Sequence, residues 1–160
     1  MINFLKNKKG GFMVVEILVA VSIVAVSMLA AMAVSQKSVF VSRQSFHQTQ
    51  ASFLLEEGAE IVRIVRDNAW TNISSLTMGT NYYANFAMGT WTLNQTPNQN
   101  GIFTRTISFS NVNRDNTTKD ISVSGTNDPG TKLVTVTVSW VEGGTTVTKT
   151  LQFYIIDIFS

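Results

Sequence analysis

Three hydrophobic textures follow one another along the chain. From Phe12 to Val34 nearly every position is apolar: these 23 residues carry one charge, Glu16, and two hydroxyls, Ser22 and Ser27. As a helix the run spans roughly 35 Å, against a hydrocarbon core of about 30 Å, so it is long enough to cross a membrane. Beyond Val34 the pattern turns amphipathic. Phe46, Phe53, Leu54, Ile61, Ile64 and Val65 recur at spacings that fit one broad apolar helix face, while Gln36, Lys37, Arg43, Gln44, Gln48 and Gln50 supply a polar one. No Pro or Gly interrupts residues 12–57. Gly58 is a weak point of about 1 kcal/mol relative to Ala rather than a stop. The helix is expected to end near Asn68, and unbroken from Phe12 it would measure about 85 Å.

From Trp70 onward Asn, Thr, Ser and Gly dominate and the apolar residues alternate. Val134, Val136, Val138 and Trp140 alternate with Thr135, Thr137 and Ser139, and Val147, Leu151, Phe153 and Ile155 take up the same period after Glu142-Gly143-Gly144-Thr145. Residues 132–141 and 146–156 are therefore predicted to form an antiparallel hairpin. Ile102 to Phe109 reads as a further strand, Trp91 to Leu93 and Ile121 to Val123 as shorter ones, and Asn94–Gly101 and Ser110–Lys119 as polar loops. A sheet with one apolar face needs a cover, and the amphipathic helix has the complementary stripe. The predicted fold class is α+β: a long N-terminal α-helix, membrane-spanning and then amphipathic, packed on a C-terminal antiparallel β-sheet head. The expected divisions are 1–11 as a leader, 12–34 and 35–69 as the two halves of the helix, and 70–160 as the head.

Charge changes the picture mainly at the N-terminus. The formal net charge is +2, with 12 Lys and Arg against 10 Asp and Glu, but Lys6, Lys8 and Lys9 precede the apolar run. Without them nine basic residues face ten acidic ones, so the basic balance belongs to the leader and the head has no basic cluster that would argue for nucleic acid. The same lysines, with only Lys37 close behind the span, orient the N-terminus toward the cytoplasm. There is no Cys, which excludes disulfides, lipoprotein anchoring and thiol chemistry.

Glu16 needs a partner, because a charge within an apolar span is costly, about 2–3 kcal/mol or more at depth. Cutting the chain between Gly11 and Phe12 would provide one. The new α-amine lies one helical turn from Glu16, and in a bundle of staggered copies Glu16 of one could meet the amine of the next. The basic leader Lys6, Lys8 and Lys9, Gly11 before the cut, Phe12 as first mature residue and Glu16 as fifth resemble the class III signal of type IV prepilins. The resemblance covers residues 6 to about 34. It implies cleavage and N-methylation at Phe12 by a prepilin peptidase, then assembly into a pilus or pseudopilus. Its partners would be other pilin subunits, the peptidase, the pilus assembly machinery and, before assembly, the membrane. The family's long helix and β head agree with the pattern. Many major pilins carry helix-breaking Gly and Pro where this chain has Ala25 and Ala33, a departure that favours a minor pilin or pseudopilin. The competing reading of the leader is a secretory signal, with Ile17 to Leu29 as its apolar core and Ala31-Met32-Ala33 as its cleavage site.

Little else points to chemistry. His47 is the only histidine and reads as a helix-surface residue, with no Cys beside it for zinc. No phosphate-binding glycine motif occurs, no cofactor or metal site is expected, and the chain does not read as an enzyme. Asn111, Asn113 and Asp115 offer oxygens for calcium, although such loops are more often simply turn-formers. Glu60–Arg63 and Arg63–Asp67 are spaced to pair along the helix. Trp70, Trp91 and Trp140 are expected to be core or interface anchors, with a stacking surface as the alternative. The expected function is thus a structural subunit of a pilus or pseudopilus, a bacterial-type inner-membrane protein first and an extracytoplasmic filament component afterwards. The alternatives are a tip-located adhesive or substrate-binding minor pilin and a monomeric single-pass membrane protein with an extracytoplasmic β domain.

Overall fold

Alternation in the last third of the chain builds the main sheet. A computed structural model describes residues 10–158. Strands β5 (Thr126–Glu142) and β6 (Thr145–Ile156) pair in register from Thr131↔Ile156 to Glu142↔Thr145. They are joined by Gly143-Gly144 with φ of 57° and 83°. Two positive φ values in a two-residue connection are what a type I′ hairpin requires, and glycine takes them without steric cost. Strand β3 (Thr104–Arg114) pairs with β5 on the other side and carries the two-residue β4 (Ile121–Ser122), giving an antiparallel order β4-β3-β5-β6. Val134, Val136 and Val138 are fully buried and Trp140 nearly so.

The helix α1 runs from Gly10 to Asn68, ending where the sequence places its end. A four-residue turn of helix, α2 (Thr71–Ser74), follows. The chain clusters into two units, Met1–Ser45 and Phe46–Ser160. Within the second, the face of α1 against the sheet is Ala51, Leu55, Gly58, Ala59, Ile61, Val62 and Val65. This corrects the expected stripe. Ile61 and Val65 belong to it and Leu54 lies at its margin, but Phe46, Phe53 and Ile64 are exposed. The helix packs through its small residues. A Cβ added at Gly58 would lie 2.7 Å from Val136 Cγ1 and 3.2 Å from Arg105 Cδ. The glycine that costs helix propensity thus sits where the sheet leaves no room for a side chain on α1.

Two loop assignments also change. The strand expected over Ile102–Phe109 starts two residues later and continues to Arg114, so Asn111 and Asn113 are sheet residues and the loop shrinks to the turn around Asp115–Asp120. Strand β5 begins at Thr126, six residues before the expected start, with a bulge: Asn111 faces Lys132 while the next residue, Val112, faces Asp128. Pro129 cannot donate to a ladder, and the displaced residues are held by the Asp128 carboxylate. It accepts from the Gly130 N–H (2.9 Å), the Thr131 hydroxyl (2.7 Å) and Arg114 Nε (2.5 Å). The Arg114 guanidinium, followed by Thr131, holds the Asp128 carboxyl below its ordinary range.

A second hairpin, β1 (Tyr83–Ala87) with β2 (Thr90–Asn94), forms a separate two-stranded sheet, of which only Trp91–Leu93 was legible. Tyr82 joins its base to β3 through a two-bond bridge with Ile107. The tip is Met88-Gly89, with φ of 53° and 79°. Met88 is fully exposed, so its left-handed backbone is compensated by no side-chain contact. Met88→Asn is expected to stabilise the head by about 0.5–1 kcal/mol, because Asn tolerates this conformation better. Urea unfolding followed by tryptophan fluorescence measures it, and a lowered midpoint would show that the methionine side chain supports the hairpin.

Candidate functional site: the apolar helix and the polar anchors of the head

Every side chain from Phe12 to Val39 is exposed, beginning with Phe12 at 87%. One apolar helix near the N-terminus is therefore long and apolar enough to cross a membrane, by length and composition. Its polar groups are economically handled. Ser22 Oγ donates to Leu18 O (2.7 Å) and Ser27 Oγ to Ile23 O (2.8 Å), so neither hydroxyl demands an outside partner. Gly11, Phe12 and Glu16 all lie in α1. Phe12 and Glu16 are four residues apart, about 6 Å along the axis. Among the described residues Glu16 has neither a hydrogen bond nor an ion pair. Lys6, Lys8 and Lys9 lie outside the described residues. At the far end of the span Lys37 Nζ sits 5.2 Å from the centre of the Phe40 ring.

In the head, the polar residues act as anchors. His47 is not a bare surface histidine: its Nδ1 lies 2.5 Å from Glu142 Oε2, and the carboxylate also accepts from Trp140 Nε1 at 3.3 Å. The Glu142 side chain is 5% exposed. The imidazole stacks edge-on to Phe103, which in turn leans on Trp140. This ties the helix to the last residue of β5. Nothing in the local sequence pairs His47 with a residue 95 positions away. The one available signal was an acid closing an otherwise apolar, alternating strand. Arg105 makes a second tie, donating to Glu57 Oε2 (2.7 Å) and to Leu54 O (3.2 Å). Lys149 Nζ makes a third, to Gln48 O and Ser52 Oγ. Of the two helix pairs expected, Glu60–Arg63 forms, but Asp67 is taken by Arg66 and Arg63 lies over the Phe153 ring.

Two of the three residues offered for calcium use a side-chain oxygen internally. Asn111 Oδ1 accepts from Lys132 Nζ (2.9 Å) and Asp115 Oδ1 from the N–H groups of Thr117 and Thr118. Those backbone bonds, Thr118 first, lower the Asp115 carboxyl below its ordinary value. Among the described residues no three His, Asp or Glu side chains gather in a group that could hold a metal ion. Trp140 is buried, and Trp70 and Trp91 are half-buried.

No family model, curated protein or solved structure matches the chain.

Proposed function

We propose that the chain is a type IV pilin-like structural subunit, cleaved after Gly11 by a prepilin peptidase, N-methylated at Phe12 and assembled into a pilus or pseudopilus through α1. The observation that carries this reading is the helix itself. It presents an unbroken apolar surface from Phe12 onward, satisfies both serine hydroxyls internally, and leaves one charge, Glu16, a turn from the proposed cut. An isolated span has no use for that carboxylate, whereas staggered copies of the helix supply it with an α-amine. Before assembly the apolar segment would hold the precursor in the cytoplasmic membrane with its lysines inside. Burial among like helices would later replace lipid.

Mass spectrometry of the chain produced with a prepilin peptidase tests the cut. The expected mature protein begins at a methylated Phe12, and Gly11→Leu leaves full-length precursor in the membrane. A mature start at Val34 would mean an ordinary secretory signal. An intact N-terminus in the presence of active peptidase would favour the single-pass membrane protein.

A further inference from the structure

We propose that the head carries a binding site for neutral glycans, centred on Trp91 in the cleft under the β1–β2 hairpin. The proposal goes beyond assembly and does not depend on it. The cleft holds about 240 Å³, below the roughly 300–1,000 Å³ of drug-sized pockets, a size suited to one sugar ring. One wall is aromatic: Phe86 and Trp91 face each other across the hairpin with ring centroids 5.1 Å apart and planes at 54°. Phe86 is 58% exposed although it is a large aromatic in a strand. Ring faces are electron-rich and receive the C–H-bearing face of a hexose. Apart from Ala84, Glu57 and Arg105, the remaining lining is amide. Asn98 is fixed by donating to Ala84 O (2.7 Å), while the side chains of Asn85, Gln99 and Asn100 make no hydrogen bond among the described residues. Each amide offers both donor and acceptor atoms, which suits hydroxyls that both donate and accept.

Charge selects the class of sugar. No Asp, Glu, Lys, Arg or His occurs from Asn68 to Thr104. The two charged residues that line the cleft, Glu57 and Arg105, neutralise each other. Single-stranded DNA would find the stacking ring but no cation for its phosphates, which supply most of such affinity. Anionic polysaccharides meet the same lack. A second depression of about 410 Å³ shares Trp91 and is again uncharged: Asn68, Asn72, Ser75, Thr90 and Thr92 bring hydroxyls and amides to it, beside the apolar Val65 and Leu93. Trp91 therefore stands between two subsites, the arrangement an oligosaccharide longer than one unit would use.

The test is an NMR titration of the full chain in phosphocholine micelles, which avoids sugar-based detergents. The Trp91 indole resonance and the side-chain amide resonances of Asn98, Gln99 and Asn100 are followed against a panel of neutral hexoses, N-acetylhexosamines and their dimers and trimers, with sialyllactose and a ten-nucleotide oligothymidine alongside. Saturable millimolar shifts with a neutral sugar, tighter for its trimer, are expected. Trp91→Ala and the exposed substitution Phe86→Ser should each weaken binding at least tenfold, with Phe86→Ser keeping a cooperative melting transition. Silence across the neutral panel, binding that survives Phe86→Ser, or a tighter response to oligothymidine or sialyllactose would each overturn the proposal.

Discussion

Gly58→Ala is expected to destabilise the head by up to about 2 kcal/mol, although the same exchange on an exposed helix would stabilise it by about 1 kcal/mol. The sign reverses because the new methyl would enter space already held by Val136 Cγ1 at 2.7 Å. Val136 is fully buried in β5, the central strand between β3 and β6, so it has little freedom to turn aside. Overpacking of this kind costs about 1–3 kcal/mol, more than the helix gains. Urea unfolding and thermal melting should show a Tm lowered by several degrees, and Gly58→Val should be worse than Gly58→Ala. Combining Gly58→Ala with Val136→Ala should cost less than the two single changes summed, since the second removes the atoms the first collides with. A Gly58→Ala protein that melts at or above the parent would show that the helix and sheet can separate at no cost, and that Gly58 is only a gap in helix propensity.

Gly58 also marks where the sequence stopped being legible. Periodicity alone located α1, its end at Asn68 and the β5–β6 hairpin, because each is a local pattern: an unbroken apolar run, then strict alternation around Gly143-Gly144. Which helix face turns inward is not local. Large residues such as Phe46 and Phe53 advertise a core, yet the sheet lies close enough to admit mainly Ala51, Gly58 and Ala59 with the medium-sized Leu55, Val62 and Val65. The β1 strand was hidden for another reason. Tyr83-Ala84-Asn85-Phe86-Ala87 buries only Ala84, so no alternation announces it. The anchors were hidden by distance in sequence, since His47 meets Glu142 and Glu57 meets Arg105 only once the helix lies on the sheet. The residues proposed as an assembly signal are contiguous and need no fold to be read together, whereas the neutral cleft was hidden, because it is gathered from the helix, the hairpin and the loop before β3.

Glu16→Ala is expected to leave cleavage after Gly11 intact and to reduce incorporation into filaments by more than a hundredfold. The two effects separate because they use different neighbours. In the proposed processing, the peptidase meets the basic leader and the Gly11-Phe12 bond. Assembly, in the proposed packing, places the Glu16 carboxylate of one copy against the Phe12 amine of the next. N-methylation leaves that amine able to carry a proton, and in water an α-amine is largely protonated below about pH 7.7. Inside a bundle of apolar helices, removing one partner strands the other, a loss of about 3–5 kcal/mol at each such contact. At about 1.4 kcal/mol per tenfold in an equilibrium constant, that is roughly two to three and a half orders of magnitude in subunit association. The same substitution removes a charge from the proposed membrane span, so the precursor should be inserted at least as stably as the parent. This opposition is the discriminating result. A monomeric membrane protein would only gain from Glu16→Ala, whereas a filament subunit gains in the membrane and loses in the polymer. Intact-mass measurement of the membrane fraction reads the cut, and immunoblotting of sheared filaments reads incorporation. Carbodiimide coupling of Glu16 to the neighbouring amine should give cross-linked dimers in the parent and none in Glu16→Ala. Normal incorporation of the alanine variant would remove the charge pair from the mechanism and leave burial of the apolar face as the only force holding the copies together.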